Sequence, residues 1–140
     1  MNWNPPKSPY NLVQRQFHDN PWRLLVACVF CNLTKRVQAE PIMWQFFERW
    51  PTPEAAADAN EEEIGEMLKT LGLYKRRAKT LKRMSADFLK GDWVEPKDLY
   101  GIGKYANDAW HIFCVGDWKN VEPKDHALTW YHDWLKENYG

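Results

Sequence analysis

The stretch LYGIGKYA, residues 99–106, sets two glycines around one isoleucine and follows them with Lys-Tyr before an apolar helical pattern resumes. Pro96 can open a short helix running through Leu99. Gly101 and Gly103 permit backbone dihedrals barred to other residues, and Ile102 between them can turn inward as an anchor. A second helix is predicted from about Lys104, with Ala106, Ala109, Trp110, Phe113 and Val115 on its apolar side and Gly116 ending it. Helix, Gly-apolar-Gly, helix makes a tight hairpin whose free amides sit at a helix N-terminus. Such amides bind an anion without any net protein charge.

Outward from the hairpin, the periodicity is helical nearly everywhere. Pro5, Pro6 and Pro9 bar a helical start and predict an extended arm. Asn20 can cap and Pro21 suits a first helical position, opening WRLLVACVFCNL, apolar all round and so predicted to be buried. Val37, Ile42, Met43, Phe46 and Phe47 recur at helical steps, with Pro41 marking a kink or a late start. EAAADAN reads as a short helix. Ile64, Met67, Leu68 and Leu71 continue the period to a stop at Gly72, and Ala78, Leu81, Met84, Ala86 and Phe88 repeat it. Few segments alternate as strands do, so the fold class is all-α.

The composition supplies ample core, with 44% apolar residues and nine tryptophans among 140 residues. These predict one domain or two small lobes. Trp130 and Trp134 share a helix face, and most tryptophans are assigned to the core. Lys plus Arg and Asp plus Glu both number 19, so no global positive field points to a nucleic acid. The charges are nevertheless segregated: residues 54–66 are acidic, whereas Lys75, Arg76, Arg77, Lys79, Lys82 and Arg83 form a basic run. A basic run on one helix is ordinarily its solvated face. Three cysteines argue for a reducing compartment, and Cys28-x-x-Cys31, within an apolar helix, reads as packing rather than a metal site. No stretch approaches the roughly 20 apolar residues of a membrane span, so an intracellular protein without a membrane partner is expected.

These motifs resemble the helix-hairpin-helix DNA glycosylases of the endonuclease III superfamily. That family carries a Pro- or Gly-containing loop and a catalytic Asp downstream of the hairpin, and Pro123 and Asp125 stand in those places here. FCNLT and the segment from FFERW to SADFL are similar to the family's first lobe. SPYNLVQ, DNPWRLLVACVF, LGLYKRRAKT, GIGKYANDAWHIFCV and EPKDHALTWYHDWL narrow the resemblance to the glycosylase domains of methyl-CpG-binding-domain mismatch enzymes. The resemblance implies a two-lobed helical fold with a cleft between lobes. The organisation expected is a single catalytic domain over 1–140: an arm over about 1–19, a helical lobe over about 20–90, and a hairpin-plus-Asp segment over about 96–140 packing back with the arm.

What the resemblance implies chemically is a monofunctional DNA glycosylase of base excision repair that flips thymine or uracil mispaired with guanine. An enzyme working on a base must first take it out of the stack. Breaking the glycosidic bond builds positive charge on the sugar, which a fixed carboxylate, Asp125, can stabilise. Pro123 marks a helix start that would put Asp125 in the first turn. Asp108 and Asp133 are rivals outside the family's position. Relatives that also cut the backbone carry a nucleophilic lysine where Tyr105 stands, so water is the expected nucleophile. Gln14, Tyr105 and Val13 are then candidates for the base pocket, Gln14 through its amide. Leu73 and Leu33 are candidate wedges filling the hole left by flipping. Leu33 replaces a basic residue of the mammalian enzymes, which leaves contact with the orphaned guanine open. Gly101, Ile102, Gly103 and Lys104 would hold a phosphate, and Arg76 and Lys79 other backbone positions. His126 is assigned a proton-shuttling, structural or phosphate role.

No cysteine follows Cys114, so no iron–sulfur cluster is expected. A monovalent cation at the hairpin is allowed by the resemblance. The implied partner is duplex DNA with a mismatched or damaged base, bound by a monomer, nuclear if the source is eukaryotic. A superfamily glycosylase for another base, such as adenine, and a non-catalytic helix-hairpin-helix module are the alternatives.

Overall fold

Helix α1 (Pro21–Cys31) is specified locally and then swallowed by everything else. Asn20 Oδ1 accepts the Arg23 amide at 3.1 Å, and Pro21 occupies a first position that needs no donor. Leu24, Leu25, Val26, Ala27 and Phe30 are all fully buried, as a helix apolar on every side requires. The computed structural model describes residues 3–140, and α1 packs against the helices of residues 36–49, 74–90 and 104–110.

Helix α2 (Arg36–Arg49) lays Met43, Phe46 and Phe47 against α1, with the Phe46 ring near those of Trp22 and Phe30. Pro41 lies inside α2, which begins five residues before it, so the expected late start is corrected. The carbonyl its missing N–H leaves free belongs to Val37, a residue 79% exposed, where water can satisfy it. Thr52 caps α3 (Pro53–Asp58), and Asn60 caps α4 (Glu61–Met67), whose first-turn glutamates suit the helix dipole. The sequence carries α4 on to Gly72, but the helix ends at Met67. A turn closed by the Leu71 amide on the Leu68 carbonyl still buries both leucines while turning the chain toward α5.

Helix α5 (Tyr74–Lys90) packs on α3, α4 and α1 through Leu81 and Met84, and the Trp22 indole donates to Ser85 Oγ at 2.9 Å. Its basic run is not one solvated face, which corrects the sequence reading. Lys82 Nζ donates to the Ala57 and Ala59 carbonyls at 2.7 Å each, at the C-terminal end of α3. Arg83 lies over the Tyr100 ring, and Arg77 is buried.

Helix α6 (Lys104–Trp110) widens into a π-type turn over His111–Val115 before Gly116, where one unbroken α-helix was expected. Two contacts favour the wider turn: the Trp3 indole takes the Ile112 carbonyl at 2.8 Å, and His111 Nε2 lies 2.7 Å from Glu95 Oε1. Gly116, at φ 84°, ends the turn, and any Cβ there would strike the Trp3 ring. Helix α7 (His126–Tyr139) closes the chain. The Tyr131 hydroxyl donates to the Pro6 carbonyl and Arg15 Nε to the Pro5 carbonyl, pinning the extended arm against this half of the molecule. Among the described residues there is no strand, and the all-α expectation holds. None of their helices is long and apolar enough to cross a membrane.

Candidate active site

The hairpin forms much as its sequence suggests. Pro96–Asp98 makes a single 3-10 turn, Ile102 is buried, and Gly101 adopts φ 72°. A Cβ on Gly101 would meet Thr80 at 2.7 Å, so both the dihedral and the close approach of α5 demand glycine. Gly103 differs from expectation: its backbone is extended, and a Cβ would meet nothing within 4 Å. The conformation therefore does not require that glycine. Asn107, itself buried, braces the turn by accepting the Lys97 amide at 2.9 Å, and Asp87 accepts the Tyr100 amide at the same distance. Among the described residues, the amides of Gly103, Lys104 and Tyr105 donate to no acceptor, as helix starts leave them.

Facing the hairpin are two turns that carry the candidate wedges. Leu33, 86% exposed, and Leu73, 49% exposed, are the only non-glycine residues at positive φ among those described. Left-handed backbone at a leucine costs roughly 1–2 kcal/mol, so each turn needs something to hold it. Arg77 does so for both. Its guanidinium donates to the Gly72 carbonyl at 3.0 Å, to the Asn32 carbonyl and to Thr34 Oγ1. It is 4% exposed, and burial lowers its pKa from the ordinary arginine value. Sequence reading placed Arg77 among solvated cations. The signal it missed is position: Arg77 precedes Leu81 and Met84 by four and seven residues, on the core-facing stripe of α5.

Between hairpin and turns lies a cavity of about 280 Å³, lined by Leu33, Leu73, Arg76, Gly101, Gly103 and Tyr105 among others. Arg76 thus reaches the cleft, whereas Lys79 does not line it. Lys104 does line it, with its amine 2.7 Å from Asp108 Oδ2. That ion pair explains the buried Asp108, while the other rival, Asp133, is on the surface.

A second cavity, of about 330 Å³, brings Asp125, Gln14, Val13 and Tyr105 together. Tyr105 lines both cavities and so stands between them. Gln14 Nε2 donates to the Tyr105 hydroxyl and lies 3.9 Å from Cys28 Sγ. Burial, then the nearby cysteines and Asp125, push the Tyr105 phenol well above its ordinary pKa, so it is neutral. Asp125 is the N-cap of α7 rather than a first-turn residue. Its Oδ2 accepts the Leu128 amide at 3.1 Å, a reach only a residue outside the helix has. Oδ1 has no hydrogen bond within the described chain. A half-buried carboxylate so fixed can stabilise positive charge on a carbon lodged in the cavity, or orient a water there.

Sequence reading foresaw only Val13, Gln14, Tyr105 and Asp125 as part of this cavity; Cys31, Tyr10 and Trp130 are among the residues it missed. Cys31 is half-buried on its wall, with burial raising its thiol to about 11. Trp130, unlike the tryptophans of the core, is 53% exposed at the rim. His126 is exposed and stacks on Trp130. The chain holds three cysteines, too few for a four-thiolate cluster, and no metal-binding group of three or more His, Cys, Asp or Glu gathers among the described residues.

Residues 28–131 match the model of the HhH-GPD superfamily base excision DNA repair proteins. The chain is 41% identical over 137 residues to a methyl-CpG-binding domain protein 4-like protein of Arabidopsis thaliana, covering 98% of itself and 31% of that protein. It is 34% identical over 94 residues to a thymine/uracil-DNA glycosylase of Pyrobaculum aerophilum, covering 62% of itself and 41% of that protein. It thus spans less than half of either relative. A solved thermostable thymine-DNA glycosylase shares the fold with TM-score 0.67 at 20% identity, over 89% of this chain and 70% of that one. An endonuclease III–DNA covalent intermediate shares it with TM-score 0.63 at 18% identity, over 84% and 65%.

Proposed function

Since the chain belongs to the HhH-GPD superfamily of base excision DNA repair proteins, we propose that it is a monofunctional DNA glycosylase that removes thymine or uracil mispaired with guanine. The observation that carries the proposal is the convergence of Asp125, Gln14 and Tyr105 on one cavity behind the hairpin. In this reading duplex DNA sits across the hairpin, a phosphate takes the open amides of Gly103 to Tyr105, and Arg76 adds a cationic contact. Leu73 and Leu33 enter the stack as the nucleotide leaves it. The extruded base passes Tyr105, and Gln14 pairs with its edge. Asp125, fixed as the N-cap of α7, faces the deoxyribose as the glycosidic bond breaks, and water completes an abasic site.

Support for the absence of a lyase step lies in two side chains. Tyr105 stands in the lysine position with its phenol neutral, and Lys104 lies in the other cavity, paired with Asp108. The test is incubation with duplexes carrying G·T, G·U, A·G or intact pairs, followed by alkali. Breaks at G·T and G·U, only after alkali, are expected, and Asp125→Asn should abolish them. Cutting at A·G alone would move the chain to the adenine-excising branch. Normal excision by Asp125→Asn would overturn the catalytic assignment.

A further inference from the structure

The rim of the Asp125 cavity carries aromatic surface that neither packing nor the chemistry above accounts for. Trp130 and Tyr10 both line that cavity, 53% and 40% exposed. Their ring centroids are 5.9 Å apart with planes inclined by 30°. His126 also stacks on Trp130, at 6.4 Å and 28°. Two rings from two elements, Tyr10 on the arm and Trp130 on α7, thus stand at the mouth of the site that Asp125 also lines, with the His126 ring against Trp130.

Their placement is built. Trp130 is set by the first turns of α7, the helix that Asp125 starts. Tyr10 is set by the arm, whose turn is closed by the Tyr10 amide on Ser8 Oγ at 3.0 Å. That arm is pinned to α7 by Tyr131, the neighbour of Trp130. A tryptophan half in water is not spent on the core, and the opening it borders is of small-ligand size. Every base, whatever its edge, offers a flat π-face, and aromatic side chains hold unstacked bases by that face.

We propose that Tyr10 and Trp130 form a stacking wall for the base of the extruded nucleotide, with His126 backing the tryptophan. The inference rests on the glycosylase reading and divides labour within the site. Trp130 and Tyr10 grip any flat base, whereas Gln14 distinguishes its edge. Losing the wall therefore lowers affinity for all extruded bases alike and leaves the preference among them unchanged.

The test compares wild type, Trp130→Ala and Trp130→Phe on two duplexes opposite guanine. One carries an uncleavable 2′-fluoro-deoxyuridine, the other an abasic tetrahydrofuran. Trp130→Ala should weaken binding to the base-bearing duplex by about 5- to 140-fold, the worth of one base–aromatic stack, and leave the abasic duplex unchanged. Trp130→Phe should retain most of the affinity. Equal loss on both duplexes, or loss on neither, would overturn the wall, the former placing Trp130 on the DNA backbone or in the fold. Retained abasic binding also shows that the variant is folded. Wild-type inactivity on every mismatch would instead sink the glycosylase reading, so the two failures are distinguishable.

Discussion

Replacing Arg77 with methionine tests whether the two leucine turns work as a pair. The substitution keeps the methylene bulk of the stem and removes the donors that reach Gly72, Asn32 and Thr34. Hydrogen bonds from a charged donor contribute about 1.5–3 kcal/mol each when fully desolvated. Gly72 and Asn32 lie at the surface, where water replaces much of that, and the arginine's own desolvation is relieved. A net loss of about 2–3 kcal/mol is expected, which at this size lowers Tm by roughly 6–12 °C. The folded variant then retains Leu33 and Leu73 but no longer holds their left-handed backbones. Restoring even one at insertion costs about 1–2 kcal/mol, a 5- to 30-fold slowing. Single-turnover excision of uracil opposite guanine should slow by that factor below the melting range. The same uracil opposite an abasic analogue, with no pairing to break, should be released nearly as fast as by wild type. Equal slowing on both substrates would refute the argument, because Arg77 would then act only through general stability.

Other outcomes follow from the same geometry. Asp125→Asn should abolish excision yet leave Tm nearly unchanged, since Asn caps as well as Asp, whereas Asp125→Ala should lower stability by about 0.5–2 kcal/mol. Gly101→Ala should destabilise the fold measurably in urea, because a Cβ meets Thr80 at 2.7 Å and φ is 72°. Gly103→Ala, in open space, should leave the urea midpoint in place while weakening duplex binding, because the added methyl stands where a phosphate would approach. Glu95 is held down to about 2, first by its bond to His111 and then by Asn107. Its folded value lies below the free carboxylate value of about 4.3, so its stabilisation is present above that pH and is lost as pH falls toward 2. Urea midpoints of Glu95→Gln should therefore fall less between pH 5 and 3 than those of wild type.

The parts of the site legible in the sequence are those fixed by local chemistry. A cap, a proline and an apolar run place α1, and glycines with an isoleucine place the hairpin. Asp125 is singled out by the family resemblance, through its distance beyond the hairpin, whereas its place as the N-cap of α7 is known only from the structure. What was not legible depends on partners distant in the chain. Six cations between Lys75 and Arg83 look alike in sequence, yet one bridges two turns and another ties α3. Trp130 and Trp134 share a helix face, but Trp134 packs against Tyr131 and Tyr139 while Trp130 meets water, a difference set by neighbours and not by the spacing. The end of α4 was misplaced because Leu68 and Leu71 fit a continuing helix as well as they fit the turn that buries them.

The donors left open at Gly103, Lys104 and Tyr105 belong to the peptide main chain, so lysine chemistry has no hold over them. Acetylating or reversing Lys104 would loosen its bond to Asp108 and leave all three N–H groups in place. Only an imino acid can subtract from such a set. Residue 104 is the first of its helix and follows an extended neighbour, so proline there would erase one donor while the helix still starts.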